Sequence, residues 1–158
     1  MSEKKAVFVT SLTGTSLTDV EGVGTIRDEG GKVYKYIKYD EGAATLDIVA
    51  GDFLTYLAVT GLTNHIATAD VSDGDSVPIP AGVAMTAVTV TNTFMWIQII
   101  GHTTVAVTIG SGVDGELVAP LTTNKALTNM DMSVAVSAVA AGFAIDASAK
   151  TVYLNCPF

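Results

Sequence analysis

The sequence predicts an all-β fold, either a small antiparallel β-barrel or a β-sandwich, with an extended N-terminal arm. Hydrophobic residues make up 49% of the 158 residues. Most are Ala, Val, Ile and Leu interleaved with Thr and Gly, a mixture that favours sheets. The strongest apolar run, residues 94–100, is interrupted by Gln98 and followed by Gly101. Because a membrane-spanning helix needs about 20 apolar residues, we expect a buried strand there and no contact with a membrane.

Two regions differ in composition. Residues 10–18 carry a hydroxyl group at most positions and offer little to pack, so residues 1–18 are predicted to be an arm that orders against a partner, or else a flexible terminus. Residues 19–158 are predicted to form a single β-rich domain, since their length suits one hydrophobic core.

The first strands of this domain are predicted to form a hairpin. Residues 24–27 and 33–39 flank Asp28-Glu29-Gly30-Gly31, whose glycines tolerate the positive φ of a tight turn. Side chains alternate between the two faces of a strand. The second strand is therefore predicted to carry Tyr34, Tyr36 and Lys38 on one face. Its other face is predicted to carry Val33, Lys35, Ile37 and Tyr39.

Further strands follow at intervals to the end of the chain. The next are expected at 46–49 and 53–60, and two prolines within 77–80 argue against a central position in a sheet for that segment. Short connectors then predict an antiparallel meander of three strands, 84–90, 94–100 and 103–109. The last candidates are 116–119, 132–139, 143–145 and 151–156. The Ala-rich piece 133–141 could instead be a short helix, but its alternation favours a strand.

The charge balance argues against a nucleic-acid partner. The net charge is −8, and only 15% of residues are charged, whereas a nucleic-acid-binding surface needs a basic face. The cations fall mainly in Lys4-Lys5 and in residues 27–38, and neither group resembles a phosphate track. The N-terminus has no apolar segment typical of a secretion signal, so we expect synthesis in a cytoplasm. From the charge balance we expect no nucleic-acid partner.

Residues suited to catalysis are few and scattered. His65, His102 and Cys156 lie far apart in the sequence, and Cys156 is expected to be a small buried apolar residue. The acidic segment 70–76 could bind calcium, but turn-forming Asp and Ser explain it more simply. We therefore expect no catalytic residues, no metal and no cofactor. A small hydrolase using His65 or His102 is the alternative.

A protein this apolar, with so few charges, is expected to place its apolar surface in a subunit interface. Trp96 suits core or interface packing better than a sugar-binding platform, and Tyr34 and Tyr36 either form a contact surface or shield the sheet. The candidate interface residues are Lys4, Lys5, Phe8, Tyr34, Tyr36 and Trp96.

Two stretches resemble small structural proteins of tailed bacteriophages. Residues 24–38 follow the order Gly-Thr, polar turn, Gly-Lys-x-Tyr-x-Tyr. Residues 79–84 and 94–101 are similar to the Ala-Gly-Val-Ala and Trp-x-Gln-x-x-Gly core of the same group, and residues 151–154 fit its final apolar strand. The resemblance covers most of residues 20–158, and the arm matches nothing in it.

What the resemblance implies is a capsid decoration (cement) protein. Such proteins commonly sit as homotrimers on the outside of the mature head and clamp neighbouring subunits of the major capsid protein. We accordingly expect a virion protein on the capsid exterior, with itself and the major capsid protein as partners. The alternatives are another virion component, of the tail, neck or fibre, and a carbohydrate-binding surface module.

Overall fold

The computed structural model describes residues 7–58, 65–72, 76–120, 123–130 and 139–157, and for residues 76–78 the backbone alone. Over these residues the chain forms strands, turns and loops without a helix, so the predicted all-β class is confirmed. A helix with the length and apolarity to cross a membrane is not found among them.

Within the described residues, eleven strands make up one mixed sheet. In chain order they are β1 (Thr15–Ser16), β2 (Ile26–Glu29), β3 (Lys32–Tyr39), β4 (Phe53–Leu57), β5 (Ile66–Thr68), β6 (Ser76–Ala84), β7 (Thr93–Thr104), β8 (Leu117–Ala119), β9 (Thr128–Asn129), β10 (Gly142–Asp146) and β11 (Thr151–Asn155).

Five of these strands close a hydrogen-bonded circuit. The order is β3–β5–β4–β6–β7, and β7 returns to β3 through a long antiparallel ladder that runs from Tyr39↔Thr93 to Val33↔Ile100. All ladders in the circuit are antiparallel except β3–β5, which is parallel at Lys38↔Ile66 and Tyr39↔Ala67. The circuit encloses apolar side chains in a barrel-like arrangement, which removes the free strand edges of an open sheet.

The sheet then continues beyond the circuit. The second half of β7 pairs with β11, and β10, β8 and β9 follow in that order; we call β8, β9, β10 and β11 the extension. The change of partner occurs near Gly101, which has φ +103° and lies so close to Lys32 that a Cβ would be 3.2 Å from its Cγ. Gly101 therefore allows β7 to serve both parts of the sheet.

This corrects the predicted three-strand meander. Gly101-His102 was expected to be a connector, but β7 runs through it without interruption to Thr104. Of the two flanking segments, 84–90 leaves the sheet after Ala84 and returns only at the Ile48↔Val88 bridge, and 105–109 is not a strand. The glycine was interpreted as a turn, whereas its backbone freedom is used for a close approach between strands.

Three other predicted segments, 46–49, 77–80 and 132–139, compare with the structure as follows. Residues 46–49 contain only that isolated bridge and no strand. The prolines of β6 occupy no central ladder position, as expected: Pro80 pairs with Thr55 of β4, and β6 pairs with β7 only at Val83 and Ala84, beyond the prolines. A missing N–H therefore removes no hydrogen bond on that side. Most of 132–139 lies outside the described residues.

The predicted hairpin and the two faces of its second strand are confirmed. β2 and β3 pair from Glu29↔Lys32 to Ile26↔Lys35. Ile37 and Tyr39 belong to the main core inside the circuit, whereas Tyr34 and Tyr36 belong to a second cluster on the opposite face. The long β3–β7 ladder therefore has one apolar cluster on each side.

Lys35 is an unexpected member of the core side. It is only 2% exposed, and its Nζ donates a hydrogen bond of 2.9 Å to the hydroxyl of Tyr56. Burial lowers the pKa of Lys35 from 10.5 to about 8, because the charged ammonium loses its hydration. Burial also raises the pKa of Tyr56, which remains a neutral hydroxyl.

Replacing Lys35 with methionine should therefore raise stability at neutral pH. The pKa of Lys35 is lower in the folded state, so folding of the wild type is penalised most below pH 8 and the penalty fades as pH rises toward 10.5. We expect Lys35→Met to gain about 1–3 kcal/mol at pH 7. Urea unfolding followed from pH 6 to 10 should show this gain shrinking with pH.

The matched control is Lys38→Met, because Lys38 is a partly exposed residue on the other face of the same strand. It should show little gain in stability. A gain from Lys35→Met that stays constant over the whole pH range would contradict a buried, titrating amine.

Candidate interaction surfaces

The structure brings three predicted interface residues together on one face of the β3–β7 ladder. Tyr36 pairs directly with Trp96, and their ring centroids lie 5.1 Å apart. Tyr34 belongs to the same cluster, and Phe94 stacks on Tyr36 at 6.2 Å. Two aromatic strand positions facing each other across a ladder form a strong packing unit.

The arm of the same chain covers this cluster. Phe8 presents its ring to Trp96 in an edge-to-face arrangement at 5.4 Å, and Leu12 packs nearby. Trp96 and Tyr36 are fully buried as a result, and Tyr34 is nearly so. In the single chain these side chains form the site on which the arm packs, which removes Trp96 as an exposed sugar platform. Lys4 and Lys5 lie outside the described residues.

Thr10 fixes the arm through every polar atom that it has. Its backbone N–H and its hydroxyl both donate to Glu21 Oε1, at 2.6 and 2.8 Å. The same hydroxyl accepts the indole N–H of Trp96 at 2.9 Å, and the Thr10 carbonyl accepts Arg27 Nη1 at 3.2 Å. Hydrogen bonds to charged partners are stronger than neutral ones, so this single residue holds the arm in register.

Charges near the cluster add to the arm contact. The Arg27 guanidinium lies 4.8 Å from the Phe8 ring centroid and 5.9 Å from that of Trp96, within range of a cation–π interaction. Arg27 Nε also donates to Glu29 Oε2 at 2.7 Å, which orients the guanidinium. Burial raises the pKa of Tyr36, and the carboxylates of Asp19 and Glu21 raise it further.

The outer side of the arm is apolar as well. Val7, Val9 and Leu17 are each more than 70% exposed. Along the arm, Phe8, Thr10 and Leu12 point inward while the residues between them point to solvent. The arm therefore presents two valines and a leucine on a segment whose position is fixed from beneath.

A second exposed surface lies on the extension, and the sequence did not reveal it. Leu117, Phe143, Tyr153 and His102 stand directly opposite one another on four adjacent strands, β8, β10, β11 and β7; we call them the aromatic row. Leu117, Phe143 and Tyr153 are 40–42% exposed, and the rings of Phe143 and Tyr153 stack at 5.6 Å.

A sequence signal for the aromatic row exists in hindsight. Strand β10 alternates small and large residues, and the small ones, Gly142 and Ala144, are buried while Phe143 and Ile145 are exposed. A core normally takes the large residues of an alternating strand. Gly142 also lies so close to β11 that a Cβ would overlap the Tyr153 carbonyl oxygen.

The residues considered for catalysis lie at different places in the fold: His65 beside Gly24, His102 on β7 and Cys156 against the Ala141 carbonyl. No metal-binding group of His, Cys, Asp and Glu is found within the described residues. Cys156 is buried, as expected, and burial raises the pKa of its thiol. Asp70 accepts hydrogen bonds from Ser72 and from the Ala44 N–H, so the described part of the acidic segment, residues 70–72, behaves as a turn.

Comparison with protein-family models, with curated proteins and with solved structures finds no match for this chain.

Thr10→Val should loosen the arm. The change removes the hydroxyl, leaving the Trp96 indole N–H without its acceptor and a buried Glu21 oxygen with one donor fewer. We expect a loss of about 2 kcal/mol in the free energy of unfolding. Trp96 is the one tryptophan in the sequence. Its fluorescence emission should therefore shift to the red, and acrylamide should quench it more strongly.

Two variants control for the change in shape. Thr13→Val makes the same substitution at an exposed position of the arm and should leave stability and emission unchanged, and Thr10→Ser should retain most of the wild-type behaviour. If Thr10→Val left the tryptophan emission as blue and as protected as in the wild type, the arm would not depend on this hydroxyl.

Proposed function

We propose that this chain is a capsid decoration protein of a tailed bacteriophage, which binds the outer surface of the mature head and stabilises the major-capsid lattice. The observation that supports this most is where the phage-like stretches lie in the fold. Residues 24–38 form β2 and β3, and the two parts of the second stretch lie on β6 and β7. These strands are neighbours, because β3 and β6 each pair with β7. Stretches distant in sequence thus belong to one structural unit.

The physical basis of the proposed role is binding linkage. A protein that binds the expanded shell more tightly than its precursor or its broken forms stabilises that shell by RT ln(1 + [L]/Kd). Joining several copies, as in the homotrimer that the resemblance implies, adds avidity without a new kind of contact. No reaction is needed for this function.

The arm is the proposed point of contact with the major capsid protein. Its outer side carries Val7 and Val9, among the most exposed large apolar side chains of the described chain. Thr10, the residue after Val9, is tied to Glu21, Trp96 and Arg27. A segment already ordered before it binds loses less conformational entropy on docking, so the arm is suited to bind an apolar groove of the lattice.

The test uses heads of the phage that carries this chain, stripped of the protein and then incubated with purified protein. We expect the heads to bind it and to release their DNA at a higher temperature than bare heads. The double variant Val7→Ser/Val9→Ser should bind about tenfold or more weakly, since each buried valine contributes roughly 1.5 kcal/mol or more.

Val49→Ser is the matched control, because Val49 is also an exposed valine but lies in the turn between β3 and β4. It should bind heads like the wild type. Heads that gain no heat resistance from bound wild-type protein would count against the cementing role, and equal binding by all three proteins would count against the arm as the contact.

A further inference from the structure

Among the described residues, the centre of the outer face of the extension carries large apolar side chains and no charged one. The aromatic row crosses this face with three apolar side chains, and Ile145, which is 41% exposed, adds a fourth. Thr104 and Asn155 lie beside the row. None of these residues is Lys, Arg, Asp or Glu. The nearest described carboxylates are already engaged at the rim, where Asp146 accepts from Ser148 and Ala149 and Glu116 accepts from Asn129.

The size of this patch fits a protein interface. Four side chains about two-fifths exposed amount to roughly 300–400 Å² of accessible apolar surface, the size of the largest patch on a typical monomer, which is often functional. A standard interface buries about 800 Å² on each partner, a little over half of it apolar. The patch therefore supplies most of the apolar surface that one partner needs.

The charge of the chain indicates which partner fits. With a net charge of −8, two copies repel one another wherever their acidic surfaces meet. They can approach closely only through a face that carries no charge, and the cores of interfaces are depleted of charged residues. A basic partner would instead find the acidic remainder of the surface more attractive than this face.

The geometry of the rings disfavours a carbohydrate as the ligand. Phe143 and Tyr153 stack on one another at 5.6 Å with an interplanar angle of 14°. One face of each ring is therefore already covered, and a sugar would find no flat pair of exposed ring faces. The rings instead form a ridge that fits against a second apolar surface.

We propose that the outer face of the extension, centred on Phe143 and Tyr153, joins this chain to a second copy of itself. This deepens the proposed function, because it locates on the fold the contact that would join the copies of a decoration protein. It can nevertheless hold or fail independently of any binding to heads.

The test compares the mass of the wild type with that of Phe143→Lys/Tyr153→Lys by analytical ultracentrifugation at micromolar concentrations. The wild type should be a stable oligomer, and the double variant should associate at least a hundredfold more weakly. Lysine is chosen because it brings the net charge closer to zero, so that weaker association cannot come from greater overall repulsion. Circular dichroism checks that the variant is folded.

Val90→Lys is the control. Val90 is an exposed valine in the turn before β7, whereas His102 lies near the other end of that strand. It should keep the wild-type mass. If the lysine variant does not fold, Phe143→Ala/Tyr153→Ala replaces it and should weaken association at least tenfold. A monomeric wild type, or an unchanged mass for whichever folded row variant is measured, would overturn the proposal.

Two further experimental outcomes distinguish the contact between copies from the alternatives. A monomeric wild type that binds a glycan array through Phe143 and Tyr153 would assign the face to carbohydrate and overturn it. A wild-type oligomer that dissociates on Phe143→Lys/Tyr153→Lys, yet does not bind heads, would uphold the contact between copies and refute the decoration role instead.

Discussion

The ladder between β3 and β7 is the contact on which the rest of the structure depends. Its inner face contributes Ile37 and Ile97 to the main core, and its outer face brings Tyr36 against Trp96. The closed circuit needs this ladder because it joins the first and last strands of the ring. The arm needs it as well, since both the apolar site for Phe8 and the indole N–H bound by Thr10 belong to it.

The same ladder also separates two surfaces with different roles in the proposal. At one end of β7, β1 of the arm pairs with Phe94 and Met95. At the other end, past Gly101, the strand passes into the extension and places His102 beside Tyr153. A contact with a lattice through the arm and a contact between copies through the extension could therefore form at once on one rigid sheet.

The sequence predicted the strands better than it predicted their connections. Alternation along Val33–Tyr39 assigned the two faces of β3 correctly, because side-chain direction in a strand is a local property. Gly101 was misread, since a glycine that allows two strands to approach looks the same in sequence as one that makes a turn. The parallel β3–β5 pair was not anticipated either, because pairing between distant strands has no local signal.

The candidate site was only partly visible in the sequence. Phe8, Tyr34, Tyr36 and Trp96 were predicted to be interface residues, but nothing in their pattern showed that the arm of the same chain would cover them. Thr10 was one hydroxyl residue among many in the arm, and its role depends on Glu21, Arg27 and Trp96, which are distant in sequence. Lys35 was assigned to the correct face without its burial being expected.

The central claim is that this chain works by burying its apolar surfaces against copies of itself and a viral lattice. Electron cryomicroscopy of the particle into which we propose that it assembles tests this most directly. The account predicts density for the chain on the outside of the head, with Phe143 and Tyr153 buried between adjacent copies and the arm against the major capsid protein. Density at the tail or neck, or isolated copies with the aromatic row open to solvent, would contradict it.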